Sequence, residues 1–357
     1  QRQMCIRDRW EVMLLGNLSN SISSGRNKHR DAHGQYPVFG STGIIGYSST
    51  YEYEGPVILV ARVGANAGTL NFASGQYDVS DNTLIITIKQ NVYDYNFAYN
   101  QLTHYKLNKL VFGSGQPLIT SKQLKNIRIP VPPLAEQRKI AEVLGVWDKA
   151  IEKQARLIEK LALRKRALMQ RLLSAKLRLP GFSEPWKKVK LGDVAELYQP
   201  QTIQSEDLSQ TGYPVYGANG LIGYYNNYNH EYPQVVITCR GSSCGTVNFT
   251  PGKCWITGNA MVLNVDNNRD VNKSFFYYLI SNSSFVNLIS GSGQPQIVRQ
   301  PLLKFELRIP PLKEQTAIAE VLTAADREID LAKEKLERLR RQKRGLMQQL
   351  LTGKKRI

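Results

Sequence analysis

The sequence predicts an α+β protein written twice. Two tandem globular domains are each followed by a long α-helix, and the helices pair as an antiparallel coiled coil with pseudo-twofold symmetry. Three observations predict it. The chain repeats itself: Tyr36-Pro-Val-Phe-Gly-Ser-Thr-Gly-Ile-Ile-Gly-Tyr47 returns 177 residues later as Tyr213-Pro-Val-Tyr-Gly-Ala-Asn-Gly-Leu-Ile-Gly-Tyr224, and Gly113-Ser-Gly-Gln-Pro117 returns at Gly291–Pro295. Each repeat opens with a stretch rich in Gly, Asn, Ser and Tyr that carries short β-branched runs. Each repeat closes with a charged segment whose apolar residues recur in steps of four and three.

The elements follow in order. Residues 1–9 have no counterpart ahead of the second repeat and are expected to be foreign to it, or disordered. Residues 10–133 form the first globular domain, with strands at Val57-Ile-Leu-Val60 and Leu84-Ile-Ile-Thr-Ile88 and a helix over Asn96–Leu110. Residues 134–176 read as one helix, ~60 Å long at 1.5 Å per residue. Its seam is Ile140, Leu144, Trp147, Ile151, Ile158, Leu161, Lys165 and Leu168. The linker, 177–185, holds Pro180-Gly-Phe-Ser-Glu-Pro185. The second domain spans 186–311, with a strand at Val235-Val-Ile-Thr238 and a helix over Lys273–Ile289. The second helix, 312–353, repeats the seam at Ile318, Leu322, Ile329, Leu336, Leu339, Lys343 and Leu346. A lone helix of this kind would expose its seam, and the duplication supplies the partner. Lys165 and Lys343 make the one polar layer kept in both copies, either setting register or contacting a partner.

Composition narrows the function classes. Hydrophobic residues are 42% of the 357 and charged residues 21%, as in a folded soluble protein. No apolar run reaches the ~18–20 residues of a membrane span, and no secretory signal is read at the start. Four cysteines make no disulfide scaffold, so a cytoplasmic setting is expected. The net charge of +18 favours a polyanion, nucleic acid before others, while leaving a plain basic surface open.

Candidate chemistry is sparse. There is no phosphate-binding Gly-x-x-x-x-Gly-Lys-Ser/Thr loop and no defensible nuclease-like carboxylate cluster, and Phe39-Gly-Ser-Thr-Gly43 reads as a turn. No catalytic residue is assigned. Cys239, Cys244 and Cys254 have the wrong spacing for a zinc ribbon, so no metal is expected. Two loops per repeat suit DNA. Arg62-Val-Gly-Ala-Asn66-Ala-Gly68 and Arg240-Gly-Ser242-Ser243-Cys-Gly245 place Arg beside small polar residues; Arg can fork onto guanine, Asn can pair with adenine, and Gly admits the phosphate backbone. The same residues also fit a tight turn with an exposed Arg. The second loop is Gly-Ser-Gly-Gln-Pro, with Gln116 and Lys122 in one repeat and Gln294 and Arg299 in the other. Features common to both copies fit scaffold better than readout, because two half-sites normally differ. Lys28-His-Arg30 against Ser205-Glu-Asp207 is one place where the copies disagree.

Pro132-Pro-Leu-Ala-Glu-Gln-Arg-Lys-Ile-Ala-Glu-Val-Leu144 and Pro310-Pro-Leu-Lys-Glu-Gln-Thr-Ala-Ile-Ala-Glu-Val-Leu322, with the Gly-Ser-Gly-Gln-Pro loops, carry a resemblance. From residue 10 to about 354 the chain resembles the DNA-specificity subunit of type I restriction–modification systems. The resemblance implies two target-recognition domains, each reading half of a bipartite, asymmetric site in double-stranded DNA. It implies helices that space the half-sites and dock two methyltransferase (modification) subunits, joined by restriction/translocase subunits. It implies no chemistry in this chain: S-adenosylmethionine, ATP and Mg²⁺ belong to the partners. An orphan DNA-binding protein without enzyme partners is the alternative.

Overall fold

The computed structural model describes residues 10–28, 31, 33–113, 117–217, 220–291 and 293–357. The chain divides into two compact units, one made of residues up to Ala155 together with Glu334–Ile357, the other of Arg156–Lys333.

The first repeat runs β1 (Glu11–Leu14), a helical turn α1 (Leu15–Leu18), β2 (Ser19–Ser24), β3 (Tyr36–Gly40), β4 (Gly43–Ser48), β5 (Tyr53–Glu54), β6 (Val57–Ala61), β7 (Leu70–Ala73), β8 (Gln76–Val79), β9 (Thr83–Ile88), α2 (Tyr95–Tyr105), α3 (Ser121–Lys125), β10 (Arg128–Val131) and α4 (Leu134–Leu172). One antiparallel sheet has the order β2-β9-β6-β7; a second, β4-β3-β8-β5, contains a parallel β3–β8 pair. A β1–β10 ribbon ties the start of the domain to the residues before α4.

Strand β6 is buried at every position, which is why it reads as an unbroken apolar run. Alternate side chains point to opposite faces of a strand. Ile58 and Val60 therefore join Leu84 and Ile86 against Phe97 and Leu102 of α2. Val57 and Leu59 join Ile85, Tyr77 and Val79 in a smaller core on the other face. The Ser41-Thr42 pair links β3 to β4, and Gly43 follows at φ +99°, where a side chain would be strained.

The second repeat follows the same plan: β11 (Lys187–Lys190), α5 (Leu191–Val194), β12 (Glu196–Tyr198), β13 (Tyr213–Gly217), β14 (Gly220–Tyr225), β15 (Val235–Thr238), β16 (Val247–Phe249), β17 (Trp255–Ile256), β18 (Ala260–Asn264), α6 (Lys273–Ser281), α7 (Arg299–Leu303), β19 (Glu306–Ile309) and α8 (Leu312–Leu350). Its sheets are β12-β18-β15-β16, β14-β13-β17 and β11-β19. A single bridge between His230 and Cys254 stands where β5 pairs with β8 in the first repeat.

The stretches expected as one helix each, Asn96–Leu110 and Lys273–Ile289, break in two. Helix α2 ends where Lys106 turns left-handed at φ 61°, and Leu107–Leu110 forms a 3-10 turn. Helix α6 ends at Ser281, and the 3-10 turn Val286–Leu288 follows.

The long helices α4 and α8 are each 39 residues. In the second unit, Ile158 and Leu161 of α4 pack on Ile329 and Ala332 of α8. Arg164 pairs with Glu328, and Lys165 Nζ meets Asp326 Oδ1 at 2.5 Å. A rise along one helix matches a fall along the other, so they run antiparallel. In the first unit, Lys343 Nζ meets Asp148 Oδ1 at 2.6 Å. These two lysine–aspartate pairs are the same pair in the repeat, which settles the polar layer as an ion pair between the helices. Elsewhere on the seam, Ile140 and Leu144 are fully buried in the first domain's core with Met347, Leu350 and Leu351. Ile318 and Leu322 lie in the second core with Leu172 and Leu173. Leu336 is buried; Trp147, Ile151, Leu168, Leu339 and Leu346 are half-buried.

Candidate nucleic-acid interface

The Pro-Pro-Leu-x-Glu-Gln motif holds each unit together. Glu136 and Glu314 sit in the first turns of α4 and α8, where the helix dipole favours a negative charge. Glu314 is 1% exposed and receives a guanidinium fork: Arg178 Nε to Oε1 at 2.6 Å and Nη2 to Oε2 at 2.8 Å. Trp186 Nε1 donates to the same carboxylate at 3.3 Å. Glu136 receives Arg356 in the same way, at 3.1 and 3.0 Å. The arginine in each case follows the other repeat's helix. Gln137 accepts from Asp94 N and donates to the carbonyls of Val92 and Pro132, which pins the N-cap of α2. Gln315 does the same for α6 through Asn272 N, Asp270 O and Pro310 O.

The two candidate loops of each repeat lie side by side. In the first unit Gly64 N donates to Pro117 O at 2.8 Å and Ile119 N to Arg62 O at 2.9 Å. In the second, Gly241 N donates to Pro295 O at 3.0 Å and Ile297 N to Cys239 O at 2.9 Å. Phe112 with Leu118, and Ser290 with Gln296, close the Gly-Ser-Gly-Gln-Pro loops at their necks. Gly68 holds φ +89°, and a Cβ there would lie 2.5 Å from Asn108 N, so only Gly fits. Its counterpart Gly245 has φ +88°. One twin-loop platform is thus built twice by the same backbone bonds, with Gly64, Gly68, Pro117 and Ile119 recurring as Gly241, Gly245, Pro295 and Ile297.

The family model for the type I restriction modification DNA specificity domain matches twice, at residues 7–162 and 183–341. The chain belongs to this family. Among curated relatives of this specificity-domain chain, the MjaVIII type I restriction enzyme specificity subunit of Methanocaldococcus jannaschii is 25% identical over 344 residues, covering 84% of this chain and 79% of its own. A putative type I restriction enzyme specificity subunit of Haemophilus influenzae is 23% identical over 331 residues, covering 86% and 85%. The crystal structure of the type I restriction–modification S subunit of M. genitalium shares the fold, with a TM-score of 0.68, 20% identity and 96% coverage of both chains.

In this specificity-domain chain the two Gly-Ser-Gly-Gln-Pro loops have the same sequence, Gln116 matching Gln294, and the candidate side chains around them differ between the copies. Asn66 and Lys122 are exposed in the first; Arg240, Ser242, Gln294 and Arg299 are exposed in the second, with Ser243 half-buried. Gln116 lies outside the described residues, as do His29 and Arg30; Lys28 is exposed, as is the 3-10 turn Ser205–Asp207. The two arginines are not equivalent. The hydrogen bond from Ile119 or Ile297 matches Arg62 to Cys239, so Arg240 matches Val63, one residue on. Successive side chains of an extended segment face opposite ways. Arg62 is half-buried and its Nη1 reaches Ser24 Oγ at 3.4 Å, while Cys239 is 1% exposed and Arg240 stands in solvent. The one-residue offset was present in the repeat, but only the backbone bonds fix it.

Cys239, Cys244 and Cys254 are free thiols, and burial pushes Cys239 up to about 11. Among the described residues no three His, Cys, Asp or Glu side chains converge as metal ligands, and no helix is long and apolar enough to cross a membrane.

Proposed function

We propose that the chain is the DNA-specificity subunit of a type I restriction–modification complex and performs no chemistry itself. Each domain reads one half of a bipartite site in double-stranded DNA. The helices α4 and α8 space the half-sites and dock two methyltransferase subunits, which restriction/translocase subunits join. S-adenosylmethionine, ATP and Mg²⁺ act in those partners. The observation that carries this reading is the twin-loop platform: two specificity domains share its backbone bonds and differ in its exposed side chains. Phosphate contacts place a protein on DNA, and side chains at base edges specify the sequence. A common platform with divergent side chains suits two different half-sites, hence an asymmetric target.

The test is co-expression with a type I methyltransferase subunit, followed by single-molecule mapping of N6-methyladenine. A bipartite, asymmetric motif with a fixed gap is expected. A complex that forms yet methylates without a motif would remove the specificity role. Sequence-specific DNA binding by a chain that captures no methyltransferase would favour the orphan reading.

A further inference from the structure

The two platforms differ in charge as well as in loop side chains. From Tyr95 to Ala135 the first repeat contains no acidic residue, and Lys106, Lys109, Lys122 and Lys125 are all exposed. Lys106 caps α2, and Lys109 belongs to the 3-10 turn that follows. Lys122 and Lys125 stand one turn apart on α3. The turn and α3 are joined, because Gln123 Nε2 donates to Leu110 O at 2.8 Å. Lys109 Nζ lies over the Tyr105 ring, 3.8 Å from its centroid. His104 senses the field: burial and then the charges of Lys106 and Lys109 hold its pKa below the ordinary value. Lys106 and Asn108 line an open cleft of about 540 Å³ together with Gly68–Leu70, the end of the Arg62 loop. At the equivalent positions the second repeat has Ser284, Asn287, Gln300 and Leu303, with Arg299 and Lys304 as the cations on and after α7.

We propose that Lys106, Lys109, Lys122 and Lys125 form a phosphate clamp for duplex DNA beside the first twin-loop platform, without an equivalent of that strength beside the second. The inference rests on the DNA-reading function. It makes the two half-sites physically unequal. The first is held chiefly by charge and is the more sensitive to salt; the second depends more on neutral contacts.

The test uses the full chain and a linear duplex of random sequence, because the phosphate term does not depend on sequence. Each phosphate contact contributes about 0.9 to the slope of log affinity against log salt. The variant K106Q/K109Q/K122Q/K125Q should therefore lose about 3.6 from that slope, shrinking the affinity drop between 50 and 200 mM salt about 150-fold. The doubles K106Q/K109Q and K122Q/K125Q should each lose about 1.8. All four side chains are exposed, so an unchanged unfolding midpoint checks that the variants fold. A steep slope in the unaltered chain that persists in the quadruple variant overturns the clamp and leaves DNA reading standing. An unaltered chain without salt-dependent affinity for DNA overturns both. An unchanged slope with lost methyltransferase capture gives these lysines to an acidic protein surface and also overturns the clamp.

Discussion

Replacing Glu314 by Gln tests whether the repeated Glu-Gln pair is a structural clasp. The carboxylate is 1% exposed and accepts two guanidinium hydrogen bonds, at 2.6 and 2.8 Å, plus the Trp186 indole. Gln keeps the shape but removes the charge, and its amide nitrogen faces a donor. Breaking a buried ion pair costs ~3–5 kcal/mol because the remaining charge stays desolvated. Arg178 is 25% exposed and recovers some hydration, so the lower end applies, about 3 kcal/mol. That is roughly 150-fold in the equilibrium for opening the second unit. Amide hydrogen exchange on the full chain resolves it, since protection is read separately for each unit. Residues 312–322 and the tail around Leu172–Arg178 should lose protection first. The paired variant E136Q should cost less, because Arg356 is more exposed and its bonds are 3.0–3.1 Å. A loss below ~1 kcal/mol for E314Q, the value of a surface pair, would refute the clasp. So would a larger loss for E136Q.

Three further outcomes are expected. G68A should cost at least ~2 kcal/mol, from a left-handed φ and a Cβ driven into Asn108, whereas G64A, with the same φ sign and open space, should cost only about 1; urea titrations compare them. His230 Nδ1 donates to Asn229 Oδ1 (2.6 Å), which leaves Nε2 of the neutral ring to accept from Tyr198 Oη (3.0 Å), and burial, opposed by Asp266, lowers its pKa. Its stabilising effect is therefore present above the unfolded value of ~6.5 and is lost as pH falls through the folded value, so the second unit should weaken on acidification and H230Q should flatten that part of the profile. Inserting one heptad into both α4 and α8 lengthens each helix by ~10 Å and should widen the unread gap of the methylated motif by about three base pairs; an unchanged gap would remove the spacer role.

The repeat and the heptads were legible because both are periodic along the chain and need no tertiary information. The steps of four and three named Leu161 and Ile329, which do meet. Periodicity could not say that Ile140 and Ile318, on the same seams, sink into globular cores, because a helix face buried by a domain and one buried by a helix have the same spacing. The turn at Lys106 has no signal in the sequence, because lysine does not favour a left-handed cap; in the structure its backbone N–H bonds the Thr103 carbonyl. In the sequence the Glu-Gln motif is only a family marker, because its partners, Arg178 and Arg356, lie 136 and 220 residues away. Along the sequence the twin-loop platform is two separate loops, since Gly64 and Pro117 meet only through folding.

The division of the chain also bears on the order of its synthesis. The second unit is one uninterrupted stretch, Arg156–Lys333, while the first is closed by Glu334–Ile357, which is made after it. A nascent chain can complete its second unit while the first still lacks Met347, Leu350 and Leu351 from its core and Arg356 for Glu136. Joining two ends across about 180 unstructured residues would cost on the order of 4–5 kcal/mol in loop closure. Ile158 and Leu161 meeting Ile329 and Ala332 already bring the ends of the second unit together, which removes most of that cost. The domain that leaves the ribosome first is completed only after the second, so a chain cut short within Glu334–Ile357 has a complete second reader and an open first one.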